Sequence, residues 1–175
     1  MDTLWAPWRM AYIQGIGEKG KDAGCVFCVK ATERDDRNNL ILYRGQKCFV
    51  IMNRFPYNNG HLMVIPYQHL SDIAMLDRDA SNELWDLVCL SRKALIEAFH
   101  PDGFNIGINL GRSAGAGIDA HLHAHIVPRW NGDTNFMPVI GEVKVISQAL
   151  ESTYDALYPY FRSTDGSSSS VPSSR

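Results

Sequence analysis

Three histidines alternate with apolar residues along residues 121–127, and the run ends at Pro128. Because alternation with a period of two is typical of a half-buried strand, His121, His123 and His125 are predicted to share one face of a β-strand. Neighbouring histidines on that face would lie about 6.6–6.8 Å apart. Such a row of imidazoles can bind phosphate or attack an electrophile at neutral pH, and a three-histidine zinc site is a competing interpretation.

A glycine-rich connection lies just before the histidines, at residues 109–117. Glycines allow successive backbone N–H groups to converge on an anion without obstruction by Cβ atoms. Because this connection directly precedes the histidine strand, it is interpreted as a phosphate-binding loop rather than as an ordinary flexible one. Beyond the strand, an aromatic side chain adds a face that suits a nucleotide. The expected binding residues are Arg112, Ser113, Gly115, Gly117 and Trp130.

The four cysteines of the chain divide into two kinds. Cys48 lies in a strand-like run and Cys89 in a helical pattern, so both are expected to be small buried hydrophobic residues. Cys25 and Cys28 form a C-x-x-C pair, which indicates either a zinc site or thiol redox chemistry. A redox pair is typical of a helix that follows a strand within a βαβ unit. The sequence pattern lacks that unit, so zinc is favoured.

The histidine pattern of residues 121–127 resembles the motif of the histidine triad (HIT) superfamily of nucleotidyl hydrolases and transferases. Residues 60–66 resemble the central strand of that family. Asn53 lies eight residues before His61, at the place where family members carry an Asn or Asp that binds the ribose hydroxyls. The resemblance covers roughly residues 25–136. The flanks are similar to a subgroup that includes bacterial diadenosine tetraphosphate phosphorylases, at residues 4–9 and 128–136.

This resemblance leads to a hypothesis for the mechanism. His123 would attack the α-phosphorus of a nucleotide and form a covalent nucleotidyl-imidazole intermediate. Its other ring nitrogen would donate to a backbone carbonyl in the glycine-rich segment, which would select one tautomer. His125 would hold a phosphate oxygen and assist the leaving group, His121 would support the row, Asn109 would contact the scissile phosphate, and Asn53 would bind the ribose. The base is expected against the apolar side chains of Phe27, Phe49 and Ile51.

The substrates implied by the resemblance are dinucleoside polyphosphates, in particular diadenosine tetraphosphate. Inorganic phosphate as the second nucleophile would make the protein a phosphorylase, and water would make it a hydrolase. Three alternatives stay open: a nucleoside phosphoramidate hydrolase, a nucleotide-binding regulatory protein, and a zinc hydrolase that uses all three histidines. The chemistry requires no catalytic divalent ion from the protein, although a substrate polyphosphate can carry Mg²⁺.

For the cysteine pair, the resemblance supplies two further metal ligands. Family members with such a pair use the histidine of a Pro-x-x-His turn and the first histidine of the triad. The matching positions predict a tetrahedral zinc site of Cys25, Cys28, His69 and His121. Because four protein ligands close the coordination sphere, this zinc would be structural. It would attach the N-terminal segment to the sheet and orient the histidine strand.

The elements that must position these residues follow from the hydrophobic periodicity. Strands are predicted at residues 40–44, 48–53, 61–66, 103–110 and 121–128. The clearest helix is predicted over residues 77–99, a C-terminal helix within 145–161, and a solvated loop or helix end at 33–37. Short connections favour antiparallel pairing, so the fold class is α+β. The resemblance implies a HIT-like antiparallel five-stranded half-barrel sheet. It also implies a homodimer in which the long helix and one sheet edge pack between protomers.

Length and composition are compatible with this interpretation. A chain of 175 residues with 45% hydrophobic content supports one domain with a sizeable core. We expect an N-terminal extension at residues 1–20, a HIT domain at 21–162, and a disordered Ser-rich tail at 163–175. A net charge of −2 gives no general attraction to nucleic acid. No apolar run reaches the ~20 residues that span a bilayer, and no signal-peptide pattern is present. A cytoplasmic protein without a membrane partner is therefore expected.

Overall fold

The computed structural model describes residues 24–133 and 148–162. The predicted N-terminal extension and Ser-rich tail lie outside these ranges and stay predictions. Two short 3₁₀ helices lie at Ile73–Met75 and Arg112–Ala114. In chain order, the other elements are α1 (Val26–Thr32), α2 (Asp36–Asn39), β1 (Ile41–Arg44), β2 (Cys48–Met52), β3 (Leu62–Pro66), α3 (Arg78–Phe99), β4 (Gly103–Ile108), β5 (Ala124–Arg129) and α4 (Leu150–Arg162).

The described strands form one five-stranded sheet in the order β1-β2-β3-β5-β4, and every pair of neighbours is antiparallel. The predicted α+β class and five-stranded antiparallel sheet are therefore confirmed. Every residue of β2 and β3 is buried, so both faces of the sheet centre are covered. Ile51 pairs with Met63, and Met63 pairs with His125. Because directly paired residues point to the same face, this register sets the surface to which His125 belongs.

The long helix α3 covers the sheet, and its bounds match the predicted helix at 77–99 within one residue. The Asp77 side chain accepts a hydrogen bond from the Ala80 backbone N–H and caps its first turn. Its buried face packs on β2, β3 and β5, with Leu84, Leu87, Val88, Ala94 and Leu95 among its buried residues. The predicted C-terminal helix is α4, which packs on α3 and β1. Within the described ranges, no helix is long and apolar enough to cross a bilayer.

Several sequence predictions were wrong in detail. The strand predicted to begin at His121 begins at Ala124, because the Leu122 N–H bonds to the Leu70 carbonyl instead of to a strand. Cys89 was expected to be buried but is exposed, since it lies between the buried positions of α3. The strand β4 ends at Ile108 rather than at residue 110. The charged residues 33–37 agree with the predicted loop or helix end, since α2 begins at Asp36.

Candidate functional site

The triad histidines are gathered at the start of β5. His125 lies within the strand, while His121 and His123 lie just before it, where both are buried. The rings of His123 and His125 are nearly perpendicular, with centroids 4.7 Å apart. His61 directly precedes the neighbouring strand β3. The pairing of β3 with β5 then brings His61 against His125 on the same face of the sheet.

The tautomer of His123 follows from its hydrogen bond. Its Nδ1 lies 2.8 Å from the carbonyl oxygen of His121. Because a carbonyl only accepts, Nδ1 carries the proton, and Nε2 keeps a lone pair in the neutral ring. Burial lowers the pKa of His123, which favours that neutral form. The carbonyl was expected in the glycine-rich segment. It belongs instead to His121, because the backbone turns next to the ring before β5 begins.

The protonation of His61 is also fixed by its neighbours. The Tyr57 backbone N–H donates to Nδ1 of His61 at 3.1 Å, and Nδ2 of Asn53 lies 3.3 Å from the same atom. His61 therefore carries its proton on Nε2, which lies 3.0 Å from Nδ1 of His125. The Tyr57 ring stacks on His61, with centroids 4.9 Å apart. Sequence reasoning missed His61 as a site residue, although its position eight residues after Asn53 could have drawn attention to it.

The predicted zinc ligands meet on the other side of His123. The ligand atoms of Cys25, Cys28, His69 and His121 all lie within 4.8 Å of one another. Nε2 of His121 donates to the Pro66 carbonyl at 2.8 Å, so its Nδ1 lone pair faces the sulfurs of Cys25 at 3.2 Å and Cys28 at 3.6 Å. Nδ1 of His69 lies 3.4 Å from the Cys28 sulfur. Two sulfurs and two imidazole nitrogens at such separations suit a tetrahedral ion, and the carbonyl partner of His121 is typical of a metal-bound histidine.

Local structure explains how the cysteines reach the sheet. Cys25 is the N-cap residue of α1, and Cys28 follows one turn later. The helix end is held by Arg44 of β1, whose guanidinium donates to the carbonyls of Ala31 and Glu33 and to the Asp36 carboxylate. Burial, followed by the nearby Cys25, raises the pKa of the Cys28 thiol. Burial lowers the pKa of His121 and so favours the neutral imidazole that binds metal.

The predicted phosphate loop closes on itself. Arg112 is exposed, and its Nε lies 2.7 Å from the Asp119 carboxylate, which lowers the pKa of Asp119. The Gly115 N–H donates to the Arg112 carbonyl, and Gly111 and Gly115 have positive φ angles of 78° and 86°. Ser113 is exposed. The positive φ angles of the glycines and the Arg112–Asp119 ion pair thus contribute to the loop conformation, and a role in phosphate binding stays a prediction.

The remaining predicted residues occupy varied positions. Asn109 follows β4, and continuing the pairing of Ile108 with Ala124 would place it opposite His123. The Trp130 indole N–H lies 3.3 Å from the Phe99 carbonyl, at the end of α3. Half-buried positions are occupied by Asn53 and Gly117, and buried ones by Phe27, Phe49 and Ile51. The Phe27 ring lies near the triad, with its centroid 5.3 Å from that of His123.

A clasp that sequence reasoning missed ties the loop at residues 53–60 to the end of β5. The Asn58 amide donates to the Pro128 carbonyl at 3.1 Å and to Asp133 at 2.8 Å. The Asp133 carboxylate also accepts two bonds from the Arg129 guanidinium. The His61 N–H donates in turn to the Asn58 carbonyl. We call the set of Asn58, Arg129 and Asp133 the amide clasp, because it fixes the loop that faces His61.

A family model described as HIT domain matches residues 34–132, more than half of the chain. The chain belongs to the HIT domain family. A protein of Mycobacterium tuberculosis named AP-4-A phosphorylase is 38% identical over 157 residues, which cover 87% of this chain and 80% of that protein. The Arabidopsis thaliana protein named adenylylsulfatase HINT3 is 32% identical over 109 residues, or 62% of this chain and 54% of that one.

Solved structures of this family have the same fold. The crystal structure of a Zn-bound histidine triad family protein from Mycobacterium smegmatis matches with a TM-score of 0.65 and 26% identity, covering 81% of this chain and 96% of that one. A hypothetical histidine triad nucleotide-binding protein from Sulfolobus tokodaii matches with a TM-score of 0.59 and 29% identity, covering 80% of this chain and 91% of that one. The predicted HIT-like fold is thus confirmed.

Proposed function

We propose that this HIT-family protein is a nucleotidyltransferase that cleaves diadenosine tetraphosphate through a covalent intermediate on His123. The observation that carries the proposal is the locked tautomer of a buried neutral imidazole: Nδ1 donates to the His121 carbonyl, so Nε2 is the nucleophilic atom. The similarity to a protein named AP-4-A phosphorylase over 87% of the chain supports this substrate and inorganic phosphate as the acceptor.

The reaction proceeds in two displacements. Nε2 of His123 attacks the α-phosphorus in line, an N–P bond forms, the bridging P–O bond breaks, and ATP leaves. Inorganic phosphate then attacks the same phosphorus, the N–P bond breaks, and ADP is released. His125 donates from Nε2 to a phosphate oxygen, while Asn53 binds the ribose and Asn109 contacts the scissile phosphate. Backbone N–H groups around Gly117 and the Arg112 side chain hold the remaining charge.

The four-residue cluster is proposed to hold structural zinc, and the similarity to a Zn-bound protein of the same family supports this role. When bound, the ion would hold α1 against the segment before β5. A zinc hydrolase that uses the whole triad is disfavoured, because Nδ1 of His121, the ring nitrogen not bonded to Pro66, faces the sulfurs of Cys25 and Cys28, and the metal-ligand cluster among the described residues does not include His123 or His125. No step of the cleavage passes through the metal.

We also propose a homodimer, as the family resemblance implies. The edge strand β4 exposes Ile106, and α3 exposes Trp85, so both predicted contact regions carry apolar side chains at the surface. Sedimentation velocity tests this directly: the dimer predicts a species of twice the chain mass, and a Trp85→Glu variant should shift it towards the monomer. A wild-type protein that sediments as a monomer at tens of micromolar would contradict the proposal.

The enzymatic proposal is tested by product analysis. Diadenosine tetraphosphate is incubated with the protein with and without inorganic phosphate, and the nucleotides are separated by anion exchange. The matched variants are His123→Ala and His100→Asn, since His100 is an exposed histidine in a left-handed conformation that Asn tolerates. We expect ADP and ATP only with phosphate, normal turnover by His100→Asn, and a loss of at least about 10⁴-fold in His123→Ala.

Other products would indicate a different function. AMP and ATP in both conditions would identify a hydrolase, and the phosphate acceptor would be wrong. Turnover of an AMP–amine conjugate without cleavage of diadenosine tetraphosphate would identify the phosphoramidate hydrolase. Tight AMP binding without any turnover would favour the regulatory protein. Near-normal turnover by His123→Ala would overturn the covalent mechanism.

A further inference from the structure

The C-terminal helix α4 lies beyond the HIT domain match, which ends at residue 132, yet it contacts the loop at residues 53–60 beside the histidine row. Its contacts with the rest of the fold include hydrogen bonds from buried side chains. Because a hydrogen bond weakens steeply with distance and angle, such bonds fix the position of a segment more closely than apolar packing does. They therefore show which parts of the domain α4 holds in place.

One group of contacts fastens α4 to the edge of the sheet. The buried Tyr154 hydroxyl donates to the Ile41 carbonyl of β1 at 3.0 Å. The Arg37 guanidinium of α2 forms an ion pair with Asp155. Neither of these described contacts involves the loop at residues 53–60. They account for the docking of the helix, and they can be changed without touching the loop.

A second group of contacts reaches the loop itself. The Thr153 hydroxyl donates to the side-chain oxygen of Asn59 at 3.1 Å, and the Asn59 amide nitrogen donates to Gln148 at 3.3 Å. The same hydroxyl lies 3.0 Å from the Ala149 carbonyl, so its proton is shared between the loop and its own helix. Thr153 is only 1% exposed. Loss of its hydroxyl would leave the Asn59 oxygen without this donor at a place that water does not reach, which is costly.

The returning half of the loop is held from three directions. The Asn58 amide donates to the Pro128 carbonyl at the end of β5, and Asn59 is held by α4. Gly60 has a positive φ of 73°, and a Cβ atom there would lie 2.9 Å from the Leu95 side chain of α3. The backbone at this point is thus pressed against α3. Of the three constraints, the contact with Asn59 alone comes from outside the HIT domain match.

The returning half of the loop in turn fixes its first residue. The Asn53 backbone N–H donates to the His61 carbonyl at 2.9 Å, which joins the two ends of the loop. We infer that Thr153 is a positioning residue, which acts through Asn59 on this loop and thereby sets the position of Asn53. The inference rests on the proposed function only for what Asn53 does, which is to bind the ribose. α4 then belongs to the nucleoside side of the site.

Three matched variants test this role in turnover. Thr153→Val removes the hydroxyl and keeps the shape, Thr153→Ser keeps the hydroxyl, and Tyr154→Phe removes the bond to β1 but leaves Asn59 in contact with α4. A ribose contact acts alike in the ground state and the transition state, so its loss raises KM. We expect the KM for diadenosine tetraphosphate to rise about 3–10-fold in Thr153→Val with kcat within about 2-fold, and to recover in Thr153→Ser. Tyr154→Phe should unfold at a lower temperature with a normal KM.

Other outcomes would overturn the inference. An equal rise of KM in Thr153→Val and Tyr154→Phe would show that α4 only stabilises the fold. A lower kcat at unchanged KM in Thr153→Val would show the same, because it reports a smaller folded fraction. If Thr153→Val does not fold, Asn59→Ala removes the same bond from the side of the loop. A normal KM in Asn59→Ala would then contradict the role of this bond.

Hydrogen exchange tests the positioning without any nucleotide. The Asn53 backbone amide, which is bonded to the His61 carbonyl, should exchange about 3–10-fold faster in Thr153→Val than in wild type and in Tyr154→Phe. Unchanged exchange in Thr153→Val would overturn the inference. If wild-type protein does not cleave diadenosine tetraphosphate, the proposed function fails, whereas the exchange rates still decide whether Thr153 holds the loop.

Discussion

At one end of the histidine row, the ligand atoms of two thiols and two imidazoles lie within 4.8 Å of one another; we call Cys25, Cys28, His69 and His121 the sulfur end. At the other end, the described polar contacts of His61 with its loop and with His125 pair a donor with an acceptor, and we call Asn53, Tyr57, His61 and His125 the donor end. The first arrangement suits a cation, whereas the second is held by described hydrogen bonds and by the Tyr57 ring stacked on His61.

This difference bears on the residue between the two ends. His123 takes its orientation from the His121 carbonyl, so its geometry depends on the sulfur end. His125 takes its tautomer from His61, so its proton depends on the donor end. The nucleophile His123 and the donor His125 are adjacent in space, yet His123 is held by the His121 carbonyl and His125 by His61. Damage to one end should therefore be distinguishable from damage to the other.

Loss of a sulfur ligand is expected to have the largest effect on stability. In Cys28→Ser, a weakly binding hydroxyl replaces a thiolate, so zinc is lost and the free energy of unfolding falls by about 3 kcal/mol, or about 6–12 °C in Tm. Metal analysis and thermal unfolding measure both quantities. Cys89→Ser, which changes an exposed cysteine of α3, serves as the control and should leave both unchanged. Full zinc content in Cys28→Ser would show that the ligand set is wrong.

Loss of the Arg44 side chain, which contacts the end of α1 next to the sulfur end, should have a moderate effect on stability. Arg44→Met removes the bonds to the backbone carbonyls at the end of α1 and a partly shielded ion pair with Asp36 of α2, at a cost of about 2 kcal/mol. Chelator competition should show weaker zinc retention than in the wild type. The matched control is Arg34→Met, at an exposed position. Unchanged zinc retention in Arg44→Met would separate α1 from the metal site and weaken the comparison.

The amide clasp should act on the donor end alone. Asn58→Ala removes the bonds to Pro128 and Asp133, and we expect a loss of about 1 kcal/mol in stability together with a lower kcat. Zinc content should be normal, because the clasp touches none of the sulfur-end ligands in the described contacts. Asn82→Ala, at an exposed position of α3, controls for loss of an amide. Zinc loss in Asn58→Ala would mean that the two ends are not independent.

Acid should have the smallest effect on stability. This effect arises from the buried histidines in the segment before β5. Burial lowers the pKa values of His121 and His123 in the folded chain, so the unfolded chain binds more protons as the pH falls. In metal-free protein, the contribution of these histidines to the free energy of unfolding should therefore be fully present above about pH 6.5 and should decline below it. Denaturant titrations between pH 7.5 and 5.5 measure this slope. A flat profile in wild type, or an equal slope in His123→Asn, would contradict a contribution from the buried imidazole of His123.

Much of the chemistry could be predicted because it is written in short segments. The alternation at residues 121–127 indicates three imidazoles on one side of a chain, and the Cys25–Cys28 spacing indicates a ligand pair, since both depend only on local geometry. The periodicity of α3 and the strand-like runs were enough for the α+β class. These patterns do not depend on the exact boundaries of the elements, so the family and the fold class could be predicted from the sequence.

Partners distant in the chain were decided only by the tertiary structure. His61 and His125 are 64 positions apart, and nothing local specifies that their nitrogens lie 3.0 Å from each other. Leu122 bonds to Leu70 instead of to a strand, so the histidine segment leaves the ladder before β5 begins. The sequence by itself determined which side chains could react. Packing determined which nitrogen of His61, His121 and His123 carries the proton, because a tautomer depends on the donor or acceptor that the fold places beside it.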